Sequence, residues 1–493
     1  MLLSKILDKT DIKIKSEYMN LEIDDLIYDT RALNTNNPLN NVLFVCITGF
    51  VFNGHTYVKE AYDKGVRVFA VESDVTLPSD AIILKCKNTR MFLATASSNF
   101  FMNPSKKLTT IAITGTKGKT NTSMMIKNIL EAAGIKTGVI GTNGIFFGDK
   151  SYDTENSTPE SYIIHKLFSE MIDDGCKAVV METSSQGFKL FRTHGICFDI
   201  GVFTNLSPDH IGGNEHKDFN EYIQCKSMLF KQCKIGILNA DDEHYKDMIS
   251  GSFCDVVTFG MNKKYDIQAL NPVFSSDENG LFTEYELKFK HEKHKLKIPL
   301  LGMVSVYNSL CASAVSVTLG IDFKNIENGL QTTTVKGRTE LVPTNNNFTV
   351  VLDYAHNEAS INSIFNTLAP YKTSRIITVF GCGGERAKQR RYSMGNVITQ
   401  NSDYSIITSD NPRNENLDDI INDILLGIKT ADNKYTVIKD RKKAIYAALD
   451  MAEKNDIVLI VGKGHQDYEE INGVKYPFNE REIVTDYLKA ASK

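Results

Sequence analysis

Short apolar runs alternate with amphipathic stretches along this chain, which is the pattern of an α/β protein. In the middle of the chain the runs are continuously apolar, and helical stretches separate them. The predicted strands there are Ile111–Thr114, Gly138–Thr142, Lys177–Thr183, Asp199–Asn205, Lys234–Ala240 and Asp255–Gly260. Continuous apolar strands are typical of a parallel sheet that helices cover on both faces.

Interruptions of this pattern divide the chain. The polar stretch Asn103–Lys107 ends a small α/β region. Residues from about 265 to about 300 alternate between apolar and polar, which predicts an antiparallel appendage followed by a helix over Val306–Leu319. Strands and helices alternate again after Lys336–Glu340, as in a doubly wound α/β fold. The predicted domains are residues 1–108, 109–336 and 337–493.

A glycine-bearing loop joins the strand Ile111–Thr114 to a predicted helix over Asn121–Ala133. The order of strand, glycine loop, Lys-Thr and helix is that of a phosphate-binding loop, although the spacing is shorter than G-x-x-x-x-G-K-[ST]. Glycines let backbone N–H groups turn toward an anion, and the helix N-terminus adds partial positive charge. Lys119 is expected to neutralise the outer phosphates, and the Thr120 hydroxyl to hold Mg²⁺. The alternative is a glycine-rich turn without a ligand. The loop residues are Gly115, Thr116, Lys117, Gly118, Lys119 and Thr120.

Composition narrows the class of protein. With 493 residues, 42% of them hydrophobic and 24% charged, the chain has the make-up of a globular protein with an ample core. A net charge of −4 gives no basic field, so no nucleic-acid partner is expected. Nine cysteines without a C-x-x-C pair predict reduced thiols, with neither a disulfide framework nor structural zinc. No apolar run approaches the ~20 residues that span a bilayer, and the N-terminus lacks a signal-peptide pattern. A cytoplasmic protein without a membrane partner is therefore expected.

Polar side chains that could carry chemistry follow several strands of the first two predicted domains. Glu182 ends a strand, where a carboxylate could bind Mg²⁺ beside the phosphate loop or cap the next turn. Asp209 and His210 follow another strand, and the histidine could bind a metal or a phosphate, or bond to loop backbone. Lys226 stands among apolar residues of a helix, where a snorkelling lysine is the simplest interpretation. The Asp29–Arg31 loop could grip a diphosphate or form a salt bridge within a turn.

The third predicted domain carries further polar loops at strand ends. Leu352–Glu358 ends a strand with an aspartate and a histidine. Phe380–Arg391 is a glycine turn leading into basic residues, which suits phosphate or carboxylate ligands, or a solvated surface. Thr408–Glu415 contains Arg413, which could bind a carboxylate, and Ile460–Glu469 is another glycine loop; a plain turn is the alternative for both. The basic residues grouped with the glycine turn are Arg375, Arg386, Lys388, Arg390 and Arg391.

Taken in order, these strings resemble the Mur ligases along the whole chain. They read DTR, TGTKGKT, STPE, METSSQG, TNLSPDH, the helix lysine, NADD, YNSLCA, GRTE, DYAH, FGCGGER, DNPR and GKGH. Many motifs in a fixed order are far more specific than any one of them. The resemblance implies a three-domain α/β architecture, with a central doubly wound sheet like that of P-loop ATPases. An N-terminal UDP-binding α/β domain and a C-terminal Rossmann-like domain would flank it.

The resemblance also assigns each cluster a role in ATP-dependent amide ligation. The phosphate loop would cradle ATP, with Thr120 and Glu182 on one Mg²⁺. Lys226 would be carbamylated and would hold a second Mg²⁺ together with His210. The implied catalytic residues are Lys119, Lys226, His210 and Glu182. Further nucleotide contacts would be Asn308, Arg338 and Asp353. The positions implied for a UDP-linked muramoyl dipeptide are Thr30, Ser157, Thr158, Ser184 and Arg192. The positions implied for the incoming amino acid are Arg386, Asp410, Asn411, Pro412, Arg413, Gly462 and Gln466.

The motifs are most similar to those of ligases that add the third peptide residue to a peptidoglycan precursor. This similarity implies that ATP phosphorylates the terminal D-glutamyl carboxylate of UDP-N-acetylmuramoyl-L-alanyl-D-glutamate, and that an amine of meso-diaminopimelate attacks the acyl phosphate. D-N-P-R is the form associated with meso-diaminopimelate rather than lysine. The implied molecule is a monomer whose third domain closes about a hinge near Val335–Gly337. L-Lysine or another diamino acid as substrate stays open, as does a nucleotide-binding paralogue that does not ligate.

Several residues depart from the family pattern, all outside the phosphate and metal machinery. Gln466 stands where the family has glutamate in G-K-G-H-E, and a neutral amide holds a distal ammonium less strongly than a carboxylate does. Ser305 replaces an asparagine, while Gln186 and Leu190 replace a histidine and a glutamine near the muramoyl site. These differences indicate tuned specificity or a paralogue.

Overall fold

The computed structural model describes residues 1–35, 39–49, 52–209, 211–213, 215–262, 264–277, 280–344, 348–429 and 434–491. Within these ranges the chain forms two compact units. The first unit comprises Met1–Ile267 and Leu310–Gly329, and the second comprises Gln268–Ser309 and Leu330–Lys493. Among the described residues, no helix combines the length and apolarity needed to cross a membrane.

A small parallel sheet begins the first unit. Its strands, in spatial order, are β1 Asp25–Ile27, β2 Val42–Val45, β3 Val68–Val71 and β4 Ile82–Lys85. The helices of this region are α1 Leu3–Ile6, α2 Val58–Asp63 and α3 Thr89–Phe100. Successive side chains of a strand point to opposite faces, so Leu43 and Val68 join one apolar cluster while Phe44 and Phe69 join another. Both faces of this sheet are therefore covered, as expected for continuously apolar strands.

The larger sheet of the first unit contains the strand that precedes the glycine loop. Its elements are β5 Thr109–Thr114, α4 Lys119–Ala132, β6 Thr137–Gly141, β7 Gly144–Phe147, β8 Lys150–Tyr152, α5 Ser161–Asp173, β9 Ala178–Glu182, α6 Ser185–Lys189, β10 Phe198–Phe203, α7 Phe219–Ser227, β11 Cys233–Asn239, α8 Tyr245–Met248 and β12 Asp255–Gly260. The strand order is β12-β11-β10-β5-β9-β6-β7-β8. Pairs from β12 to β6 are parallel, and β7 and β8 add antiparallel. Because β10 and β9 flank β5, the loops after these three strands meet at one edge.

The predicted antiparallel ribbon is present, but nearly all of it belongs to the second unit, whereas the prediction placed it in the domain of residues 109–336. It consists of β13 Ile267–Asp277, β14 Gly280–Phe289 and β15 Glu292–Ile298, and β14 pairs antiparallel with β15. Helices α9 Gly302–Thr318 and α10 Phe323–Gln331 follow, so the first of them begins before the predicted Val306.

The remaining chain of the second unit builds a mostly parallel sheet. Its elements are β16 Glu340–Val342, β17 Thr349–Asp353, α11 Glu358–Leu368, β18 Ile376–Phe380, α12 Lys388–Asn401, β19 Tyr404–Ile407, α13 Leu417–Gly427, β20 Tyr435–Val437, α14 Arg441–Met451, β21 Ile457–Val461, β22 Tyr468–Ile471, β23 Val474–Pro477 and α15 Glu480–Ala491. The order is β16-β17-β21-β18-β19-β20, in which only the edge strand β16 pairs antiparallel among the described residues. Strands β22 and β23 form a separate hairpin. The carboxyl ends of β17, β21, β18 and β19 therefore lie side by side, and each leads into one of the predicted polar loops.

The chain enters the second unit for the last time at Leu330, ahead of the predicted boundary at residue 336. Gly337 has φ 68°, and its backbone packs directly against that of Gly464 and His465 in the same unit. The close packing at Gly337 ties the start of the predicted third domain to the loop after β21. A hinge near Val335–Gly337 stays a prediction.

Candidate active site

The predicted phosphate-binding loop runs from the end of β5 to the start of α4. Gly115 has φ 146° and Gly118 has φ 87°, and a Cβ on Gly115 would overlap the Thr204 side chain. Helix α4 begins at Lys119, earlier than the predicted Asn121, because the left-handed Gly118 ends the loop there. The Lys119 ammonium folds back and donates to the carbonyl oxygens of Gly115 (2.8 Å) and Thr116 (3.1 Å). A positive charge is thus held over the loop beside a helix N-terminus, where an anion benefits from both.

The segment after β10 anchors this loop from the side. The backbone N–H of Thr116 donates to the carbonyl oxygen of Asn205 (2.8 Å), and that of Lys117 donates to the Asn205 Oδ1 (2.9 Å). The Thr204 hydroxyl donates to the carbonyl oxygen of Lys117 (2.7 Å). Thr204 and Asn205, the first two residues of the TNLSPDH string, thus hold the backbone of the glycine loop in place.

Thr120 and Glu182 meet where β5 and β9 end. The Thr120 hydroxyl donates to Glu182 Oε1 (2.9 Å), and the same carboxylate accepts from the Thr142 backbone N–H and hydroxyl, both at 3.0 Å. Ser184 caps helix α6, so the alternative that Glu182 caps the next turn is wrong. A hydroxyl and a carboxylate are ligands that Mg²⁺ prefers, and this pair therefore fits the predicted ion. The predicted metal ligand His210 lies outside the described residues.

Lys226, on α7, is buried rather than snorkelling, with 2% of its surface exposed. Its Nζ donates to the carbonyl oxygen of Gly115 (2.9 Å), the oxygen that Lys119 also uses, and lies 4.6 Å from the Tyr222 ring centroid. Burial and the nearby Lys119 charge hold the pKa of Lys226 well below its usual value, while Asp209 acts in the opposite direction. Lys226 is thus a buried amine, biased toward its neutral form, at the phosphate loop.

A cavity of about 720 Å³ opens within the first unit beside the predicted precursor residue Thr30. The Asp29–Arg31 loop and residues of the 153–160 segment line it. Arg31 pairs with Asp29 at 2.6 Å, so the predicted salt bridge within the turn exists and faces the cavity. The volume falls in the range of small-molecule binding sites.

Thr158 and Ser184 connect this region to the end of β9. The Thr158 hydroxyl donates to the carbonyl oxygen of Glu182 (3.0 Å) and lies 3.2 Å from the Ser184 hydroxyl. Ser157 precedes Thr158 and is half-buried, and it does not line the cavity.

Arg192 extends the same network. Its guanidinium donates to the carbonyl oxygen of Thr158 (2.8 Å) and to Glu160 (3.0 Å), and Arg90 of α3 holds Glu160 from the other side (3.1 Å). Thr158, Ser184 and Arg192 therefore lie together, and the cavity-lining Glu160 links them to the region of Thr30.

In the second unit, Asp353 ends β17 with a buried carboxylate. The carboxylate accepts from the Thr339 backbone N–H at 2.6 Å, and burial raises the pKa of Asp353. The Arg338 guanidinium lies 5.4 Å from the Tyr354 ring centroid and lowers the Asp353 pKa in opposition to burial. Arg338 and Asp353 are thus neighbours, while Asn308 is buried on α9.

A small polar cavity of about 80 Å³ gathers the loops that follow β18, β19 and β21. All predicted amino-acid contacts except Pro412 line it: Arg386, Asp410, Asn411, Arg413, Gly462 and Gln466. Arg413 has φ 52° and is held by Glu470 (3.2 Å) and by the carbonyl oxygen of Gly384 (2.6 Å). The geometry thus brings these residues into one cavity, and their contact with an amino acid stays a prediction.

The basic residues grouped with the glycine turn do not act as one cluster. Arg375 precedes β18, at the opposite end of the strand from the turn, and pairs with Asp456 at 2.7 Å. Arg391 is 1% exposed and pairs with Asp423 and Glu415. Arg386, Arg390 and Arg391 line the small cavity, whereas Lys388 is not among its lining residues and pairs with Asp423 at 3.3 Å. A ligand contact stays a prediction for the three arginines, and grouping Arg375 with them is wrong.

Sequence reasoning missed residues that hold the site in place. Thr142 binds the Glu182 carboxylate, Glu160 joins two arginines, and Lys463 is a buried lysine behind the small cavity. Each lies within or next to a string noted in the sequence, but a supporting role depends on contacts across the fold. Arg441 and Glu480 form a further buried pair at 2.7 Å.

Two family models match the chain: the Mur ligase middle domain over residues 113–316, and the Mur ligase glutamate ligase domain over residues 337–464. The chain is 38% identical, over 99% of both chains, to UDP-N-acetylmuramoyl-L-alanyl-D-glutamate–2,6-diaminopimelate ligase 1 of Clostridium acetobutylicum. It is 40% identical, over 96% of both chains, to the ligase of the same name of Caldanaerobacter subterraneus subsp. tengcongensis.

Solved structures of Mur ligases share the fold. A UDP-N-acetylmuramoyl-L-alanyl-D-glutamate–2,6-diaminopimelate ligase superposes with a TM-score of 0.78 at 24% identity, covering 100% of this chain and 99% of that one. The MurF ligase from Thermotoga maritima in complex with ADP gives a TM-score of 0.58 at 16% identity, covering 95% of this chain and 97% of that one. The predicted three-domain α/β architecture is confirmed, and the boundaries near residues 108 and 336 stay predictions. With relatives at this identity over nearly its full length, the chain belongs to the Mur ligase family.

Proposed function

We propose that this chain is an ATP-dependent ligase that joins meso-2,6-diaminopimelate to UDP-N-acetylmuramoyl-L-alanyl-D-glutamate in peptidoglycan precursor synthesis. The relatives named above carry this activity in their names, apart from the stereochemistry of the amino acid. The observation that carries the proposal is the convergence of Lys119 and Lys226 on one carbonyl oxygen of the phosphate loop, beside the Thr120–Glu182 pair.

The first step brings a carboxylate to a triphosphate, and repulsion between these anions is its principal barrier. The Lys119 ammonium and the N-terminus of α4 both offset this negative charge at the loop. The γ-phosphoryl group passes to the terminal D-glutamyl carboxylate, and ADP leaves with the electron pair of the broken P–O bond. The product of the step is an acyl phosphate on the precursor.

Thr120 and Glu182 are the residues that would hold Mg²⁺ at the loop. A bound Mg²⁺ supplies neutralisation of phosphate charge and polarisation of the transferred group. Thr142 orients the Glu182 carboxylate through two hydrogen bonds, so the ligand is positioned before any ion arrives.

Lys226 is proposed to be carbamylated. Its neutral amine adds to the carbon of CO₂, an N–C bond forms as one C=O π bond opens onto oxygen, and the amine loses a proton to solvent. A side chain that is otherwise neutral or cationic thereby becomes an anion, which would serve as a ligand for a second Mg²⁺ together with His210. Support comes from the burial of Lys226 and from the direction of its pKa, since only the neutral amine is a nucleophile.

The cavity beside Thr30 is the proposed site for the UDP-linked precursor, with Thr158, Ser184 and Arg192 toward the muramoyl peptide. The small cavity of the second unit is the proposed amino-acid site. Arg338, Asp353 and Asn308 are proposed nucleotide contacts of the second unit. The amine of the amino acid attacks the acyl phosphate, a C–N bond forms, and inorganic phosphate leaves.

The test is a dependence assay with purified full-length protein. ADP release is expected only when ATP, Mg²⁺, the UDP-linked dipeptide and meso-diaminopimelate are all present, with one amide product per ADP by mass spectrometry. If the rate of ADP release is the same with and without the amino acid, the protein is not a ligase. ADP release faster with L-lysine than with meso-diaminopimelate contradicts the proposed amino acid and favours the lysine alternative.

All nine cysteines are free thiols, which supports a reducing compartment, and the cytoplasm is the proposed location. Action as a monomer stays a prediction. A non-ligating paralogue is the second candidate, and the lack of any acceptor-dependent ADP release would favour it.

A further inference from the structure

Gln466 lines the small cavity as the last member of a hydrogen-bonded relay. Asn411 Nδ2 donates to Gln466 Oε1 at 3.0 Å. Behind it, Asn411 Oδ1 accepts from Lys463 Nζ at 2.8 Å and from the Glu470 backbone N–H at 2.9 Å. Lys463 is fully buried and also donates to the carbonyl oxygen of Tyr468 (2.9 Å). The relay is therefore built into the protein behind the cavity wall.

The direction of this relay follows from chemistry. A backbone N–H can only donate, so the Asn411 atom that faces Glu470 must be the carbonyl oxygen. The other Asn411 atom is then the NH₂ group, which needs an acceptor, and Gln466 Oε1 supplies it. Gln466 then offers the cavity its own NH₂ group, which is a hydrogen-bond donor, together with the second lone pair of its Oε1.

A glutamate at position 466, the residue of the family pattern, would give the opposite result. One carboxylate oxygen would accept from Asn411, and the second would offer a negatively charged acceptor to the cavity. Glutamine in place of glutamate thus removes the negative charge that would hold a cation at this wall and adds a donor for carbonyl or carboxylate oxygens.

The charged side chains around the cavity also favour a negatively charged ligand group. Among the described residues that line it, the positive side chains are Arg386, Arg390, Arg391 and Arg413. Arg391 is paired with Asp423 and Glu415, and Arg413 with Glu470, so the positive charge that faces a ligand comes mainly from Arg386 and Arg390. The one carboxylate among them, Asp410, lies 3.8 Å from the Lys463 ammonium, which offsets its charge. A ligand group that meets this wall gains from negative charge and loses from positive charge.

We propose that Gln466 selects the distal carboxylate of the incoming amino acid and makes its distal ammonium dispensable. This inference rests on the proposed function and concerns the substrate class of the same site: α-amino acids with a second carboxylate at the far end of the chain. Lys463 and Asn411 act as positioning residues, because they fix which atom of Gln466 faces the cavity.

The test compares two amino acids that differ only at the distal carbon. L-2-Aminopimelate has the carbon chain and both carboxylates of diaminopimelate, with hydrogen in place of the distal amine. The wild-type protein is expected to use it with kcat/KM within about threefold of that for meso-diaminopimelate, since no buried acceptor is left unmatched. A preference for meso-diaminopimelate of more than about threefold overturns the inference.

Gln466→Glu provides the reciprocal measurement. This variant is expected to favour meso-diaminopimelate over L-2-aminopimelate by about tenfold or more, through a charge-assisted hydrogen bond to the distal ammonium. The matched control is Gln400→Glu on the exposed side of α12, which adds the same charge outside the cavity and is expected to keep the wild-type ratio. An unchanged ratio in Gln466→Glu overturns the inference.

The possible outcomes distinguish a failure of the role assigned to Gln466 from a failure of the proposed ligase activity. ADP release with neither amino acid contradicts the proposed ligase, whereas release with meso-diaminopimelate alone contradicts only the assignment of Gln466. The wild-type comparison needs no variant, so a poorly folded Gln466→Glu protein leaves that test intact.

Discussion

Two lysine side chains, Lys119 and Lys226, donate hydrogen bonds to a single carbonyl oxygen, that of Gly115. Two ammonium groups this close repel each other in a buried space, so an anion or the loss of one charge stabilises the arrangement. The local sequence YIQCKSMLF suits a lysine that reaches solvent equally well. Burial of Lys226 depends on how α7 packs beside the phosphate loop, and a residue pattern does not contain that information.

Lys226→Ala is the residue-scale test of the carbamate. We expect a loss of turnover of about a hundredfold or more, since a charged group at the reacting phosphates disappears. With carbon-13 bicarbonate, the wild-type protein should show a carbamate NMR signal that Lys226→Ala lacks. Lys231→Ala, at an exposed position just after α7, is the matched control and should keep both signal and activity. A wild-type protein that is active without a carbamate signal contradicts the modification.

His165 is a second buried titratable residue, and no proposed step uses it. It lies on α5 with 0% exposure, and neither ring nitrogen has a hydrogen-bond partner among the described residues. Burial lowers the pKa of His165 to about 4. Between that value and the unfolded value of about 6.5, the unfolded chain binds a proton that the folded chain does not. Stability therefore rises with pH across this window and is lost as the pH falls through it.

His165→Leu is expected to stabilise the protein, because an unsatisfied polar ring leaves an apolar environment. The gain in free energy of unfolding should grow as the pH falls from about 6.5 to about 4, by up to roughly 3 kcal/mol at about 1.4 kcal/mol per pKa unit. Urea melts at pH 7.5 and pH 5.5 measure it. His291→Leu, in the exposed turn after β14, is the control and should change neither melt. A His165→Leu protein less stable than wild type at pH 5.5 contradicts this account.

At the scale of elements, the polar loops are predictable because the carboxyl ends of parallel strands share one edge of a sheet. The loops after β5, β9 and β10 meet in the first unit, and those after β17, β18, β19 and β21 meet in the second. Arg375 shows the limit of this argument. Arg375 precedes the amino end of β18, whereas the glycine turn follows the carboxyl end of the same strand. Nearness in sequence therefore does not place Arg375 beside the turn.

The phosphate loop itself can be tested through its backbone. Gly115→Ala places a Cβ against the Thr204 hydroxyl and the Asn205 backbone, at a φ of 146°. We expect ATP affinity to fall about tenfold or more, since a shift of the loop misaligns its N–H groups. Gly134→Ala is the control: it also has a positive φ, of 78°, but its Cβ meets no atom within 4 Å. It should cost about 1 kcal/mol of stability and leave ATP affinity unchanged. Calorimetric titration with ATP distinguishes them, and equal affinity in the two variants contradicts the assigned role of Gly115.

At the scale of the whole molecule, the proposed sites are distributed over both units. The phosphate loop, Lys226 and the larger cavity belong to the first unit, while Asp353 and the small cavity belong to the second. The order of motifs along the sequence predicts this distribution, because each motif follows a strand of its own sheet. The positioning contacts, such as Lys463 on Asn411, join residues distant in sequence and are visible only in the folded chain.

The central claim is that this protein activates a precursor carboxylate as an acyl phosphate, and an isotope experiment tests it directly. UDP-N-acetylmuramoyl-L-alanyl-D-glutamate is labelled with oxygen-18 in the terminal D-glutamyl carboxylate and turned over with ATP and meso-diaminopimelate. Phosphoryl transfer to that carboxylate, followed by attack of the amine, must leave one labelled oxygen in each inorganic phosphate released. Mass spectrometry of the phosphate should show one oxygen-18 atom per amide formed, and unlabelled phosphate accompanying amide formation would contradict the account.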